Sequence, residues 1–342
     1  MLIVDDSLFM RAAIAKTLAS GPFEIVGQAK DGHDALAQVG RLAPDVITMD
    51  FNMPGMNGAD TVRALMHQRP TPVVMFSAHT KQGAKETFDA LAAGAVDFVT
   101  KPAGEVSVDL SKIADELTRK LLAAASARPR AANPAPMRAS GPISITTTGG
   151  LGTTLSGGLP RLCIIAISTG GPAALSEVIP ALPDNLKLAI VVVQHMPAGF
   201  TTALAERLDA ASRVSVREAQ HGDRPLPGGV LIAPGDRHLE FDDRGMVALS
   251  DGPLVNGCRP AADVTMQSAV RVYGRRTLAV VMTGMGKDGA AGALAIKRAQ
   301  GKTLAQDAET SVIYGMPKAA IDAGAIDEVA ALADIAAWLR YA

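Results

Sequence analysis

Apolar and polar positions along this chain fall into two repeating registers. Short apolar runs recur roughly every 20 to 25 residues in the first part: LIV (2–4), FEIVG (23–27), DVITM (45–49), PVVMF (72–76) and AVDFV (95–99). Helix-length amphipathic segments lie between them, with Gly or Pro at most junctions. Five such strand–helix units predict a parallel sheet covered by helices on both faces. The same alternation returns at LCIIAI (162–167) and continues through LAIVVV (188–193), VSV (214–216), LAVVM (278–282) and TLAQ (303–306). Residues 222–248 interrupt it, and their Pro and Gly punctuation predicts a β-hairpin insertion in a second, doubly wound α/β domain.

Between the two series, residues 123–160 are dominated by Pro, Ala, Gly, Ser and Thr, and no Asp or Glu occurs from Leu117 to Ser176. Such a segment buries too little apolar area to offset its ordering entropy and is expected to be a flexible linker. The expected domains are therefore 1–122 and 161–342.

Composition narrows the function classes. The 33 basic and 34 acidic residues nearly cancel, so no global field recruits nucleic acid or an anionic membrane. The longest apolar runs span six residues, far short of the roughly 20 that cross a bilayer, and no signal-peptide pattern opens the chain. Cys163 and Cys258 lack CxxC spacing, and Cys163 lies in a strand pattern that predicts a buried, inert thiol. A cytoplasmic, monomeric protein that neither inserts into membranes nor binds nucleic acid is expected.

In open parallel sheets the carboxyl ends of the strands build the site. In the first series those ends carry Asp5 and Asp6, then Asp50, Ser77 and Lys101. An isolated acid after a strand is more often a helix N-cap. Three carboxylates at one sheet edge instead call for a hard cation, and oxygen ligands suit Mg²⁺. A lysine and a small hydroxyl beside them match the needs of an aspartyl phosphate. VDDS, MDFNMPGMNG, FSAH and FVTKP resemble the receiver domains of two-component response regulators across nearly all of residues 1–122. The resemblance implies a flavodoxin-like fold with Asp50 as phosphoacceptor. Asp5, Asp6, Asp50 and the Asn52 backbone carbonyl would hold Mg²⁺, with Ser77 and Lys101 as the phosphate switch. The chain starts at the first strand itself, so a residue or two of that strand is expected to be missing. Phe98 stands where many receivers carry a tyrosine rotamer switch. His33, His67 and His79 show no ligand spacing and are expected at the surface.

In the second series Ser168 follows the first strand in ISTGGP, His195 follows the second, and TGMGKDG after LAVVM delivers Asp288. Nucleophile, base and orienting acid at three strand ends are what acyl transfer requires. The Met285 amide, assisted by Thr169, is the expected oxyanion donor. Glycines 170 and 171 would let the backbone approach a substrate closely. Gly284, Gly286 and Gly289 also spell G-x-G-x-x-G, a weak dinucleotide signal, with Asp307 downstream. That motif normally opens its domain, and the Asp288 carboxylate would oppose a pyrophosphate. The triad explains Asp288; a cofactor must tolerate it. The order Ser, His, Asp and the absence of G-x-S-x-G set the domain apart from lipases and esterases.

ISTGGP, VVVQHMPAGFT, APGDRHLE, CRPAAD (258–263) and MTGMGKDGA resemble the catalytic domain of chemotaxis protein-glutamate methylesterases. The resemblance implies hydrolysis of glutamate methyl esters, and deamidation of certain glutamines, on the cytoplasmic helices of chemoreceptors. Adaptation in chemotaxis would follow, with a chemotaxis histidine kinase as phosphodonor and no cofactor for the ester chemistry. His221 and His238 are expected at the substrate edge or in structural roles, while Arg237 and Arg259 could contact an acidic receptor helix or remain solvated. A response regulator whose second half only binds a partner is the alternative; a DNA-binding output lacks a basic recognition helix.

Overall fold

The structure, a computed structural model, describes residues 1–78, 80–102, 110–127 and 159–342. The N-terminal half comprises β1 (Leu2–Val4), α1 (Leu8–Leu18), β2 (Gly27–Ala29), α2 (Gly32–Leu42), β3 (Ile47–Asp50), α3 (Gly58–Gln68), β4 (Val73–Ser77), α4 (Lys81–Ala92), β5 (Asp97–Thr100) and α5 (Ala114–Ala125). Its five strands are parallel, in the order β2-β1-β3-β4-β5. One strand lies off its apolar run: β2 begins only at the last residue of FEIVG. Phe23 and Ile25 instead pack, half-buried, on the apolar cluster formed by Ile14 and Leu18 of α1 with Leu117 and Leu121 of α5.

The expected start of the linker at residue 123 falls inside α5. Ala123 and Ala124 are buried, and alanine's high helix propensity carries the helix to Ala125. The remainder of the expected linker, 128–158, and His79 lie outside the described residues.

The C-terminal half comprises β6 (Arg161–Ile167), α6 (Gly171–Val178), β7 (Leu188–Gln194), α7 (Phe200–Ala211), β8 (Ser215–Glu218), β9 (Gly229–Ile232), β10 (His238–Phe241), β11 (Val247–Ser250), α8 (Ala262–Tyr273), β12 (Thr277–Val281), α9 (Ala290–Arg298), β13 (Lys302–Gln306), α10 (Gly315–Asp322), β14 (Glu328–Ala330) and α11 (Leu332–Tyr341). Seven parallel strands form the sheet β14-β13-β12-β6-β7-β9-β8. The expected hairpin insertion over 222–248 is too long. β9 belongs to the main sheet, between β7 and β8, and only β10–β11 is an antiparallel hairpin. The Pro and Gly residues before β9 mark the turn into that strand and do not mark a departure from the sheet.

The first strand of this half, β6, is the central one, buried from Leu162 to Ile167. It is flanked by β7 on one side and β12 on the other. The chain order reverses at that point, where open sheets leave a crevice at their carboxyl edge.

The two halves are in contact. Helix α4 lies against α6 and α7, and Phe98 of β5 stacks on Phe200 of α7 with ring centroids 4.5 Å apart. A single apolar cluster includes Phe88 and Phe98 from one half and Met196, Phe200 and Leu204 from the other.

Ile165, fully buried in mid-β6, sets the position of the strand end that carries Ser168. Ile165→Ala is expected to destabilise the C-terminal half by roughly 2–5 kcal/mol through transfer and cavity terms. A urea midpoint for that half equal to wild type would contradict this packing.

Candidate active site

Two groups of polar side chains sit at the carboxyl edges of the two sheets. In the N-terminal half, carboxylate oxygens of Asp5, Asp6 and Asp50 all lie within 4.8 Å of one another. Lys101 Nζ lies 2.8 Å from Asp50 Oδ1 and 3.3 Å from Asp5 Oδ2. Burial raises the pKa of Asp50 and of Asp5, and Lys101 counters that rise without cancelling it. Burial would lower the pKa of Lys101, but the two carboxylates hold it above its usual value. Three carboxylates against one ammonium leave an oxygen-only, net negative cradle, a donor set that fits a hard divalent cation.

Ser77 is at the end of β4 as expected, but its hydroxyl is engaged with α4. It donates to Gly83 O at 3.2 Å and accepts from Thr87 Oγ1 at 2.6 Å. Thr87 was not singled out in the sequence, since nothing in a helical Thr marks it as a partner of a strand-end serine. Asn52 directs its side chain away, donating to Glu86 Oε2 at 3.3 Å.

In the C-terminal half, Ser168 and His195 are the first residues beyond the paired ends of adjacent strands β6 and β7. The His195 amide donates to Ile167 O at 3.1 Å. Gln194 Nε2 bridges their main chains, donating to Ser168 O at 3.0 Å and His195 O at 3.2 Å. This amide was not foreseen; a Gln at a strand end carries no motif.

Asp288 arrives from the loop after β12. Its Oδ2 lies 2.7 Å from His195 Nε2 and accepts from Ala262 N at 2.6 Å. Its Oδ1 accepts from Asp263 N at 3.1 Å and Asn256 Nδ2 at 3.0 Å. The carboxylate thus sits on amides at the N-terminus of α8 that lack intrahelical partners, where the helix dipole favours negative charge. Burial alone would raise its pKa, but the His195 contact and the α8 amides outweigh burial and hold it below the usual carboxylate range.

Burial acts to lower the pKa of His195. Hydrogen bonds to Asp288 and Cys258 overcome this and push the imidazole up to about 9. The second ring nitrogen, Nδ1, lies 3.5 Å from Cys258 Sγ. No hydrogen bond joins Ser168 Oγ to His195 among the described residues, although the two residues stand side by side at the ends of adjacent strands.

Two glycines of the G-x-G-x-x-G pattern, Gly284 and Gly289, serve the protein's own packing. A Cβ on Gly284 would fall 2.3 Å from Met316 Sδ and 2.8 Å from Ser168 Cβ. Gly289, at φ +89°, would place one 2.8 Å from Ala166 Cβ. The loop is therefore pressed onto β6 beside Ser168, with Asp288 directed into the crevice. Glycines 170 and 171, expected to admit a substrate, instead admit Val312 (2.7 Å) and Gln194 Oε1 (2.0 Å).

Thr169 Oγ1 donates to Asp97 Oδ2 of the N-terminal half at 2.5 Å. Asp97 Oδ1 in turn lies 3.3 Å from Lys120 Nζ, which stands 5.0 Å from the Phe98 ring centroid. Met285 lies in the glycine loop, and its amide has no hydrogen-bond partner among the described residues. Cys163 is fully buried and burial pushes its thiol far up, in keeping with an inert core residue. Cys258 at the imidazole was not foreseen; the relation to His195 is non-local.

The basic groups of the hairpin region are internal ties. His238 is buried, its Nδ1 accepting from Ala261 N at 3.2 Å while Nε2 lies 2.9 Å from Pro253 O. His221 Nδ1 accepts from Leu249 N at 3.4 Å. Arg237 donates to Leu249 O and Arg259 to the carbonyls of Asp251 and Gly252, so neither guanidinium is simply solvated.

Comparison with known families places the two halves. Residues 163–339 match the CheB methylesterase family, and residues 1–110 match the response regulator receiver domain. A protein-glutamate methylesterase/protein-glutamine glutaminase of Symbiobacterium thermophilum is 48% identical over 342 residues, covering 98% of this chain and 94% of the relative. One of the same name from Thermotoga maritima is 42% identical over 333 residues, covering 96% and 94%. The crystal structure of the Thermotoga maritima CheB methylesterase catalytic domain superposes with a TM-score of 0.52 at 45% identity, covering 53% of this chain and 98% of that one.

The raised His195 pKa fixes the sign of a stability effect. An unfolded histidine titrates near ~6.5, so the stabilisation is fully present below that pH. It is lost as pH rises through the folded value of about 9. His195→Gln is therefore expected to destabilise the protein more at pH 6 than at pH 10, measured by denaturant unfolding at both. An equal loss at the two pH values would contradict the charged His195–Asp288 pair.

Proposed function

The chain belongs to the CheB methylesterase family and carries a response regulator receiver domain in front of the family domain, and from this membership we propose that it is a phosphorylation-controlled serine hydrolase. Its substrates are glutamate methyl esters, and glutamine side-chain amides, on the cytoplasmic helices of chemoreceptors, and the outcome is sensory adaptation. The observation that carries this reading is the 2.7 Å His195–Asp288 pair beside Ser168 at the ends of neighbouring strands.

Asp288 accepts the Nε2 proton of the neutral ring, leaving Nδ1 as the base. Ser168 Oγ attacks the ester carbonyl as its proton passes to Nδ1, forming a tetrahedral oxyanion. The imidazolium, held by Asp288, then protonates the departing methoxide, so methanol leaves and an acyl-enzyme remains. Water, deprotonated by the same ring, releases glutamate and restores Ser168. With a glutamine substrate the leaving group is ammonia, and the rest is unchanged. The Met285 amide donates to the oxyanion, with Thr169 assisting; one such donor is typically worth about 3 to 4 kcal/mol. The ester chemistry requires no cofactor.

Asp50 is the phosphoacceptor. Asp5, Asp6, Asp50 and the Asn52 backbone carbonyl would hold Mg²⁺, whose charge would offset the repulsion between the carboxylates and an entering phosphate. Lys101 pairs with one phosphoryl oxygen and Ser77 hydrogen-bonds another. A chemotaxis histidine kinase supplies the phosphoryl group, and the protein acts as a cytoplasmic monomer. The domains that divide the work are a receiver over 1–122, continued by its last helix to Ala125, and a hydrolytic domain over 161–342, joined by a linker.

Regulation follows from the contact between the halves. With Asp50 unmodified, the receiver covers the Ser168 crevice through the Phe98–Phe200 stack and the Asp97–Thr169 hydrogen bond. Drawing Ser77 toward a phosphoryl group removes it from Gly83 and Thr87 of α4, the helix that lies against α6 and α7. The covering surface then loosens.

Two outcomes test this reading. Ser168→Ala should lower methanol release from methylated receptor membranes by roughly 10⁴-fold or more, and unchanged release would rule out the serine mechanism. Asp97→Asn should raise the rate of the unphosphorylated protein toward that reached with a small-molecule phosphodonor. An unaltered ratio between the two rates would show that the Thr169 contact does not restrain the enzyme.

A further inference from the structure

Residues Val255 to Cys258 form a two-residue hairpin turn, with Val255 N donating to Cys258 O at 3.1 Å and Cys258 N to Val255 O at 2.9 Å. Both central residues have positive φ, Asn256 at +54° and Gly257 at +75°, the Asn-Gly preference of a type I′ turn. No strands flank it in the main sheet, so the turn is not there to reverse a ladder. Its two polar side chains go to the two members of the buried His195–Asp288 pair. Asn256 Nδ2 donates to Asp288 Oδ1 at 3.0 Å, and Cys258 Sγ lies 3.5 Å from His195 Nδ1.

The Asn256 amide does more than touch Asp288. The same Nδ2 donates to Asp263 Oδ2 at 2.9 Å. Asp263 is itself buried, and its Oδ1 accepts from Gly292 N at 2.7 Å in the first turn of α9. Two buried carboxylates therefore stand on either side of one side-chain amide, each also bonded to the first turn of a helix. Burial and then the Asp288 charge raise the pKa of Asp263. A donor between like charges screens them from each other, and it also withdraws basicity from Asp288.

We propose that Asn256 is a positioning residue for the hydrolytic reaction: its amide, presented by the Asn-Gly turn, fixes the rotamer of Asp288 and keeps Asp288 ionised beside Asp263, so that His195 holds the orientation in which its Nδ1 can serve Ser168. The inference rests on the triad reading given above. The turn itself is anchored from behind by His238, which bonds Pro253 on one side of it and Ala261 on the other. The ionisable groups facing the pair are Asp263 from α8 and Cys258 from the turn.

Asn256→Gly tests this, because glycine adopts the turn's positive φ freely and removes only the side chain. In the full-length protein with Mg²⁺ and a small-molecule phosphodonor, kcat for methyl-ester hydrolysis should fall by about tenfold or more, within the hundredfold that an ångström of misplacement can cost. KM should change little. With one donor to Asp288 gone, the Asp288–His195 pair binds its proton more tightly, so the acidic limb of the kcat/KM profile should move to higher pH. A merely structural residue would lower the melting temperature without moving that limb. Wild-type kcat and an unmoved limb would overturn the proposal. If Asn256→Gly fails to fold, Asn256→Asp decides: it suits the same turn but puts a third carboxylate in place of the donor. A larger upward shift is then expected, and wild-type kcat would overturn the proposal. Ser168→Ala in the same assay separates the two levels. Unchanged activity there would sink the triad reading itself, whereas a Ser168→Ala reduced by roughly 10⁴-fold beside a fully active Asn256→Gly would sink only the role of Asn256.

Discussion

The structure of the catalytic half depends on how one carboxylate is buried. Asp288 is 2% exposed, and an ionised acid at such a site is stable only if its lone pairs are matched. Four donors match them: two amides of the α8 N-terminus, the Asn256 amide and the His195 ring. Those donors lie up to 93 residues from Asp288 along the chain, so satisfying the carboxylate fixes how β7, the 255–258 turn, α8 and the β12 loop sit together. The loop can bring Asp288 there only because Gly284 and Gly289 let the backbone lie against Ser168 and Ala166.

The same economy of strand ends governs both halves. Each places its charged groups at the carboxyl edge of a parallel sheet, where side chains from non-adjacent stretches of sequence converge. What distinguishes the halves is the chemistry of the cluster. Asp5, Asp6 and Asp50 form an acidic cradle with a single lysine, suited to a cation and an anion together. Ser168, His195 and Asp288 bring together a hydroxyl, an imidazole and a buried carboxylate, a set suited to the proposed hydrolysis. The surfaces that join the two clusters are apolar at Phe98–Phe200 and polar at Asp97–Thr169. A phenylalanine in place of the tyrosine common in receivers suits this arrangement: the ring is buried against another ring, with no hydroxyl to satisfy.

The parallel sheets and the strand ends carrying both clusters were legible in the sequence because they rest on local signals: apolar runs, Gly-rich turns and single polar residues at fixed places. What escaped was set by partners distant in sequence. β9 follows a Pro- and Gly-rich stretch that reads as a hairpin, yet it pairs between β7 and β8. Asn256 and Gly257 are a hairpin turn signal in plain view, but without flanking strand patterns nothing linked them to Asp288. The engagement of Ser77 with Thr87 and of Thr169 with Asp97 depends on side-chain rotamers and on docking of the halves, neither of which has a periodicity to read. The composition of residues 123–125 reads as linker, yet alanine suits a helix end equally well and α5 runs to Ala125.

The account stands on Ser168 becoming a nucleophile through His195 and Asp288. Its most direct measurement is mass spectrometry of the protein after reaction with a fluorophosphonate, which labels serines activated by a neighbouring base. The account predicts one phosphonyl group on Ser168 in the phosphodonor-treated protein, and almost none in Asp288→Asn, where the imidazole loses its acid partner. Label on another residue, or equal labelling of Ser168 in the two proteins, would contradict it.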